Sequence, residues 1–528
     1  MILAYEFIYV SKNALLENFL YAIAAEAKRE FYIVKANEKI TLFVKGEEEE
    51  LRAFSDLLAA EAPLSIFLRS VNVKVAKQWE IEKASAIAPC ETPIGFTPKT
   101  QALSAQSGDW TIAPEIGKRI ALNNMPPIDE AFARLRNGES VAIEGKYTIA
   151  PLTDRFCDES AVVMPTDIGF IASVVVANEE DISALGSLER PILRLPTNII
   201  FSAKYPTAPR IISVALAGDL YLYLLSIKLA KSGVKAIALN GYDRLRVVAL
   251  KDRNLVISGA GLSQNAARFL AIKEPHFRAF AAAIDERGLQ SESNLGFFFS
   301  LYNDDYVVFN NPESGAIELL KVDFPSSIDE VFLAIEQRDQ NGAKLIASYR
   351  AQYGEIAKSI NAVSLKNAPK NIASLWGIIG LILGVSDNLN NSCEKMFEHI
   401  AFGGALKAPS ADYKLTANSI DFIALTRGAI SYKLAGAPNE LIAYGLCEGL
   451  ARFLGDLCDL IAAGSSADAM LREVRNADKF ISALNVETPK NIFLIGSLFS
   501  RKIFSQLTLN AISPNKPPLF PNELPLEL

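Results

Sequence analysis

Histidine is scarce in this chain: His276 and His399 are the two among 528 residues. His276 lies in "EPHFRAFAAAIDERGL", Glu274 to Leu289, where Pro275 suits the first turn of a helix. A helix that shares a metal needs two imidazoles on one face, and His276 has no second histidine nearby. His399 follows Cys393 and Glu398, but Cys393 and His399 are six residues apart, which is not one helix face. Both histidines are therefore expected to pack rather than ligate. No G-x-S-x-G, G-x-x-x-x-G-K-[ST], H-E-x-x-H or G-x-G-x-x-G is present. "SGAGLSQNAA" has two glycines but no following Lys. The cysteines, Cys90, Cys157, Cys393, Cys447 and Cys458, form no CxxC pair, so neither a zinc site nor a disulfide framework is signalled.

The elements around these residues are those of a large α/β chain. Half the residues are hydrophobic, 21% are charged and the net charge is −7. That is globular composition without a basic stripe, so nucleic acid is not an expected partner. No signal-peptide pattern opens the chain. Of the longest apolar runs, Ser374–Val385 is too short for a bilayer and Ile211–Ala230 carries Asp219 and Lys228. No membrane insertion and a cytoplasmic location are expected.

Residues 1–80 alternate "LAYEFIYV", a helical "ALLENFLYAIAAEAKRE", two strands in "FYIVKANEKITLFVKG" joined around Asn37-Glu38, a helix ending at Pro63, and the strand "SIFLRSVNVKV". This βαββαβ order is the split, ferredoxin-like arrangement. Residues 81–125 are loop-rich. "PIDEAFARLRNG" predicts a helix stopped by Gly138, then a strand "SVAIEGKYTI". Strands and helices alternate from Pro209 onward, with more helix later. "KNIFLIGSLFSRKIFSQL" predicts a buried strand, a Gly turn and a helix. The Pro-rich tail "SPNKPPLFPNELPLEL" should pack as an extended segment.

Several of these segments, in order, resemble the HypF family of [NiFe]-hydrogenase maturation carbamoyltransferases. They include "PIDEAFARLRNGESVAIEGKYTI", "LGSLERPILRLP", "AKYPTAPRIISVALAGDL", "GLSQNAARFLA", "EPHFRAFAAAIDERGLQSESNLGFFF", "NIASLWGIIGLILG", "CEKMFEHIA", "LARFLGDL" and "FLIGSLF". The chain is most similar to shorter accessory members found with some membrane-bound hydrogenases. The resemblance implies an α/β and α+β multidomain fold. Its parts would be an acylphosphatase-like domain at 1–80, a loop-rich segment replacing zinc fingers at 81–125, a reduced YrdC-like section at 126–205, and a two-lobed ASKHA-like carbamoyltransferase-type domain at 206–528.

At the family's functional positions the residue types differ. The acylphosphatase loop would supply an Arg, whereas "VSKNALLENF" offers Lys12. Between residues 81 and 150 only Cys90 could serve a zinc finger. In the YrdC-like section Arg155 is the sole cation of "TDRFCDESAVVMPTDIG", and Lys146 matches one polar position. The family's H-x-x-x-H helix places Pro275 and Ala279 at the two imidazole positions. Its "Asp-x-His-Pro" aligns with Val256 and Ser258, the Asp of "AFDGTG" with Ser300, the Lys of "GAELKNT" with Tyr221, and "FH" with Phe453-Leu454. "SGGVFQN" becomes "IGSLFSR", where Gly496 and Ser497 keep backbone N–H groups that can approach a phosphate.

The expected function is that of a hydrogenase maturation accessory factor acting by protein binding. Its expected partners are maturation proteins or the hydrogenase large-subunit precursor. The alternative is an active ATP-dependent carbamoyltransferase with rewired residues. Gly496, Ser497, Asp219 and Lys146 are the nucleotide-binding candidates, ATP being the possible cofactor. Zinc and other metals are not expected, and no catalytic residue is assigned.

Overall fold

The computed structural model describes residues 1–12, 15–77, 109–110, 120–121, 126–143, 145–153, 161–259, 267–313, 315–404, 408–416, 419–463, 489–512 and 517–528. The chain divides into two compact units, Met1–Ala260 and Gly261–Leu528. Most of the loop-rich 81–125 segment lies outside the described residues, with Cys90, Arg155 and Cys157.

The first unit opens with β1 (Ile2–Tyr9), α1 (Leu15–Glu26), β2 (Glu30–Ala36), β3 (Lys39–Lys45), α2 (Glu48–Glu61) and β4 (Leu68–Val75). The strands form one antiparallel sheet in the order β2-β3-β1-β4, as the βαββαβ pattern predicts. Asn37 turns the β2–β3 hairpin at φ 54°, a left-handed conformation Asn tolerates better than most residues. A capping box between Glu47 and Glu50 starts α2, and acids fill its first turn where the helix dipole favours them. Tyr5 seats that helix on the sheet, with its hydroxyl 2.7 Å from Ser55 Oγ and its ring edge-on to Phe54. The short strands β5 (Asp109–Trp110) and β6 (Ile120–Ala121) pair antiparallel.

The remainder of this unit comprises α3 (Ile128–Arg136), β7 (Val141–Ile143), β8 (Tyr147–Pro151), β9 (Val162–Pro165), α4 (Ile171–Val174), α5 (Glu179–Gly186), β10 (Leu193–Pro196), α6 (Ile199–Lys204), β11 (Ile211–Val214), α7 (Leu220–Lys231), β12 (Ala236–Asn240), β13 (Arg246–Leu250) and β14 (Arg253–Ser258). Six strands form a mixed sheet, β10-β11-β9-β12-β8-β7. One expectation is corrected here. "SVAIEGKYTI" is not one strand: Gly145, at φ 69°, reverses the chain and β7 pairs back on β8. Within the same sheet β10 pairs with β11, Leu193 opposite Val214.

A buried carboxylate joins the two sheets' elements within this unit. Glu189 accepts from Ser65 Oγ at 2.6 Å and from Ile66 N at 3.0 Å, and burial pushes its carboxyl above the usual range.

The second unit contains α8 (Pro275–Arg287), β15 (Asn294–Phe298), β16 (Tyr306–Asn311), β17 (Gly315–Lys321), α9 (Ile328–Arg338), α10 (Gln340–Gln352), α11 (Gly354–Ile360), α12 (Ile372–Ile382), α13 (Leu389–Gly403), β18 (Leu415–Thr416), β19 (Ser419–Ile420), α14 (Phe422–Leu434), α15 (Asn439–Ala463), β20 (Asn491–Ile495) and α16 (Lys502–Ala511). Its sheet runs β18-β19-β17-β16-β15-β20, with β15 and β20 parallel. Pro275 occupies the first turn of α8 and Gly288 ends it in a left-handed cap. On β15, Gly296 leaves room for Phe280 of α8: a Cβ there would stand 2.7 Å from the ring. Every residue of α12 is buried.

Replacing Glu189 with Ala strips Ile66 N–H and the Ser65 hydroxyl of their partner. The unfolding free energy of this unit should fall by about 1–3 kcal/mol. Urea denaturation checks this, and an unchanged midpoint would show that the contact adds nothing.

Candidate functional site

The parallel strands β15 and β20 finish side by side, Phe298 opposite Ile495. Beyond them the two chains stay laced together: Phe299 N donates to Ile495 O at 3.0 Å and Leu498 N to Phe299 O at 2.9 Å. Gly496 makes this crossing possible. Its φ is 100°, and a Cβ would stand 2.1 Å from Phe299 O. The crossing brings Ser300 and Ser497 face to face, Oγ to Oγ 3.4 Å. Ser497 Oγ accepts from Leu301 N at 2.8 Å, and Ser300 Oγ accepts from Tyr302 N at 2.9 Å and Asn303 N at 2.8 Å.

Below this cradle lies Asp305, fully buried, which accepts from Ser300 N and from Ile372 N, both at 2.6 Å. Burial pushes its carboxyl well above the usual range, the two backbone N–H groups oppose this, and Glu527 and Asp304 push further upward. Asn371 links the same loop to α12, donating to Asn303 O at 3.0 Å while its own oxygen caps Ser374 N at 2.7 Å.

The cradle is occupied by the protein itself. The Glu527 carboxylate accepts from Ser497 N at 2.8 Å, from Ser300 Oγ at 2.8 and 2.9 Å, and from Asn303 Nδ2 at 2.5 Å. It arrives on a C-terminal strap that bends at 522–524 and again at 526. Leu519 pairs with β20 (Leu519 N to Ile492 O 2.7 Å; Leu494 N to Leu519 O 2.8 Å), and Gly496 N donates to Leu526 O at 2.6 Å. From α8, Glu286 accepts the N–H groups of Asn522, Glu523 and Leu524 at 2.6–3.0 Å. Arg287 Nη2 donates to Phe520 O at 2.9 Å and Arg278 Nε to Leu528 O at 2.8 Å.

Pro275 and Ala279 of α8 serve the helix's own start and packing. Pro275 starts the helix and Ala279 is buried in a cluster with Phe280, Phe298 and Val308. His276 is buried and stacks on Tyr306 with ring centroids 4.0 Å apart, its Nε2 3.0 Å from Glu318 Oε1. Burial holds its pKa down, against an upward pull from Glu318. Among the described residues, no group of three or more His, Cys, Asp and Glu side chains could hold a metal ion. Cys393 Sγ faces Ala373 O at 3.4 Å, burial pushes its thiol up to about 12, and His399 lies 3.4 Å from Glu440 Oε1.

The other two sequence candidates belong to the first unit. Asp219 caps α7, accepting from Leu222 N at 2.8 Å and from Tyr147 Oη at 2.5 Å. Around it the space is filled. Tyr147 and Tyr242 meet edge-on, and Arg244 Nη1 donates to Gly218 O at 2.7 Å. A Cβ on Gly218 would collide with Tyr242 Oη. Tyr221 is buried and its phenol is pushed up to about 12, by burial first and then by Asp219. Lys146 is exposed in the β7–β8 turn. Val256 is buried on β14 and Phe453 stacks near Tyr413. At the end of β1, Lys12 is exposed, while Lys35 reaches Ser11 O at 3.2 Å and Glu17 at 3.0 Å.

The architecture of both units is that of a HypF-like protein. Superposition on the crystal structure of T. kodakarensis HypF gives a TM-score of 0.59 at 13% identity over 100% of this chain and 97% of that one. A full-length HypF solved in a phosphate- and nucleotide-bound form gives 0.54 at 12% identity, covering 100% and 96%. In sequence the chain is similar to Protein HydE of Wolinella succinogenes, 23% identical over 539 residues, 92% of this chain and 91% of that protein. No family model matches the chain.

Of the sequence candidates, Gly496 and Ser497 lie at this crossing together with Ser300, Asn303, Asp305 and Glu527, whereas Asp219 and Lys146 lie in the first unit. Because Asp305 keeps its proton in the folded state at pH values where the unfolded chain has lost it, its contribution is complete in acid. It fades as pH rises from about 4 through the raised folded value. Asp305→Asn should therefore lower stability most below about pH 4, by about 1–3 kcal/mol, with a smaller gap around pH 8. Thermal melts across that range decide it; parallel curves for the two proteins would refute the assignment.

Proposed function

We propose that this chain is a hydrogenase-maturation accessory protein that keeps the HypF fold and acts by binding rather than by group transfer. The observation that carries this reading is the Ser300–Ser497 cradle, filled by the chain's own Glu527. Electrostatic catalysis needs preorganised donors and ligands aimed at the reacting atoms, and their losses compound. Here the aligned positions are Pro275, Ala279, Ser300, Tyr221, Val256 and Ser258. Likeness to HydE along nearly the whole chain supports an accessory role. Its partners would be maturation proteins or the large-subunit precursor, and its location cytoplasmic. Among the described residues, no helix is long and apolar enough to cross a membrane.

In this reading residues 1–80 are the acylphosphatase-like domain, 81–125 replaces zinc fingers, 126–205 is the reduced YrdC-like section, and 206–528 is the ASKHA-like domain. Gly496 and Ser497 are the positions where a nucleotide phosphate would approach. Asp219 and Lys146 are the corresponding proposals in the first unit.

Deleting the gene should abolish or strongly reduce [NiFe]-hydrogenase activity, while the purified protein should give no carbamoyl-phosphate-dependent exchange between ATP and pyrophosphate. Full hydrogenase activity in the deletion strain would remove the maturation role, and measurable exchange would establish the carbamoyltransferase alternative instead.

A further inference from the structure

Resting on the reading that a nucleotide phosphate approaches Gly496 and Ser497, we infer that Glu527 is an internal ligand that closes this site, and that the cradle of Ser300, Asn303 and Ser497 binds a phosphate-class oxyanion when the end of the strap lifts. Three kinds of donor converge on this one carboxylate: a backbone N–H from Ser497, the Ser300 hydroxyl and the Asn303 carboxamide. The strands and not the strap set their positions. Ser497 and Ser300 are fixed by the β15–β20 crossing, and Ser300 N is held from below by Asp305. Converging fixed donors of this kind suit any small oxyanion, because they compensate acceptor oxygens without requiring a particular side chain behind them.

The strap does not depend on Glu527 for its own attachment. Leu519 is paired to β20, and Glu286 grips three consecutive N–H groups from Asn522 to Leu524. Lifting residues 525–528 releases the Gly496–Leu526, Arg278–Leu528 and Glu527 contacts and leaves that anchorage intact. Glu527 is itself partly exposed, so the cradle opens to solvent at the side from which an anion would enter. A carboxylate tethered this closely competes at an effective concentration of order millimolar or above, which weakens the apparent affinity for any free anion.

Isothermal titration of inorganic phosphate into the full chain tests the inference, using wild type, Glu527→Ala, Glu527→Gln and the double variant Glu527→Ala with Ser300→Ala. Circular dichroism and melting curves establish that each is folded. Glu527→Ala should bind phosphate at least tenfold more tightly than wild type. Glu527→Gln, which keeps the side chain's size and loses its charge, should also gain, and the double variant should lose the gain. Equal affinity in wild type and both single variants overturns the inference, as does a gain that survives Ser300→Ala. If Glu527→Ala is unfolded, the Gln variant alone decides in the same way. The readout is independent of hydrogenase activity, so the maturation role and this site stand or fall separately.

Discussion

The carboxylate of Glu527 is the point at which the second unit's separate pieces meet. Through Ser497 it holds the turn after β20, through Ser300 the end of β15, and through Asn303 the loop that Asn371 ties to α12. Each hydrogen bond to the charged carboxylate contributes about 1.5–3 kcal/mol net, and a buried donor left without a partner costs about 1–3 kcal/mol. Such a network is therefore worth more complete than its members are singly. Removing the acid leaves Ser497 N–H and the Asn303 amide facing each other across an opening that only water or another anion can fill.

The helix α8 is held by close packing. Its inner face needs small residues: Ala279 and Ala283 are buried, and Phe280 lies over Gly296 of β15. At its C-terminal end Glu286 and Arg287 hold the strap by backbone groups, as does Arg278 two turns earlier. The Glu286 carboxyl is raised by burial and held down by three N–H donors, so its desolvation is offset by the segment it grips. The helix thereby ties the C-terminal segment to the sheet.

Local patterns made much of the fold legible. The alternation of β1, the Asn37 turn, the Glu-rich start of α2, the Gly138 stop and the Pro275 start of α8 each arise from interactions within a few residues, and each is found where expected. The hairpin β7–β8 was not legible, because "AIEGKYTI" has strand-forming residues on both sides of a single glycine. The pairing of β10 with β11 was not legible either, since nothing local specifies it. Glu527 is the extreme case. Its partners are 30, 224 and 227 residues away, and an acid in a Pro-rich tail carries no spacing that points to them.

Gly496 shows why the candidate site was half visible. A glycine between a buried strand and a helix is consistent with a phosphate turn, and equally with a close passage of two chains. The geometry separates these meanings. With Phe299 O 2.1 Å from where a Cβ would be, the residue must be glycine whether or not any anion is present. The evidence for an oxyanion lies one residue further on, in the N–H of Ser497, and in the fact that a carboxylate is already bound to it. A backbone donor has no side-chain signature, so its direction becomes apparent only once the strands that fix it are in place.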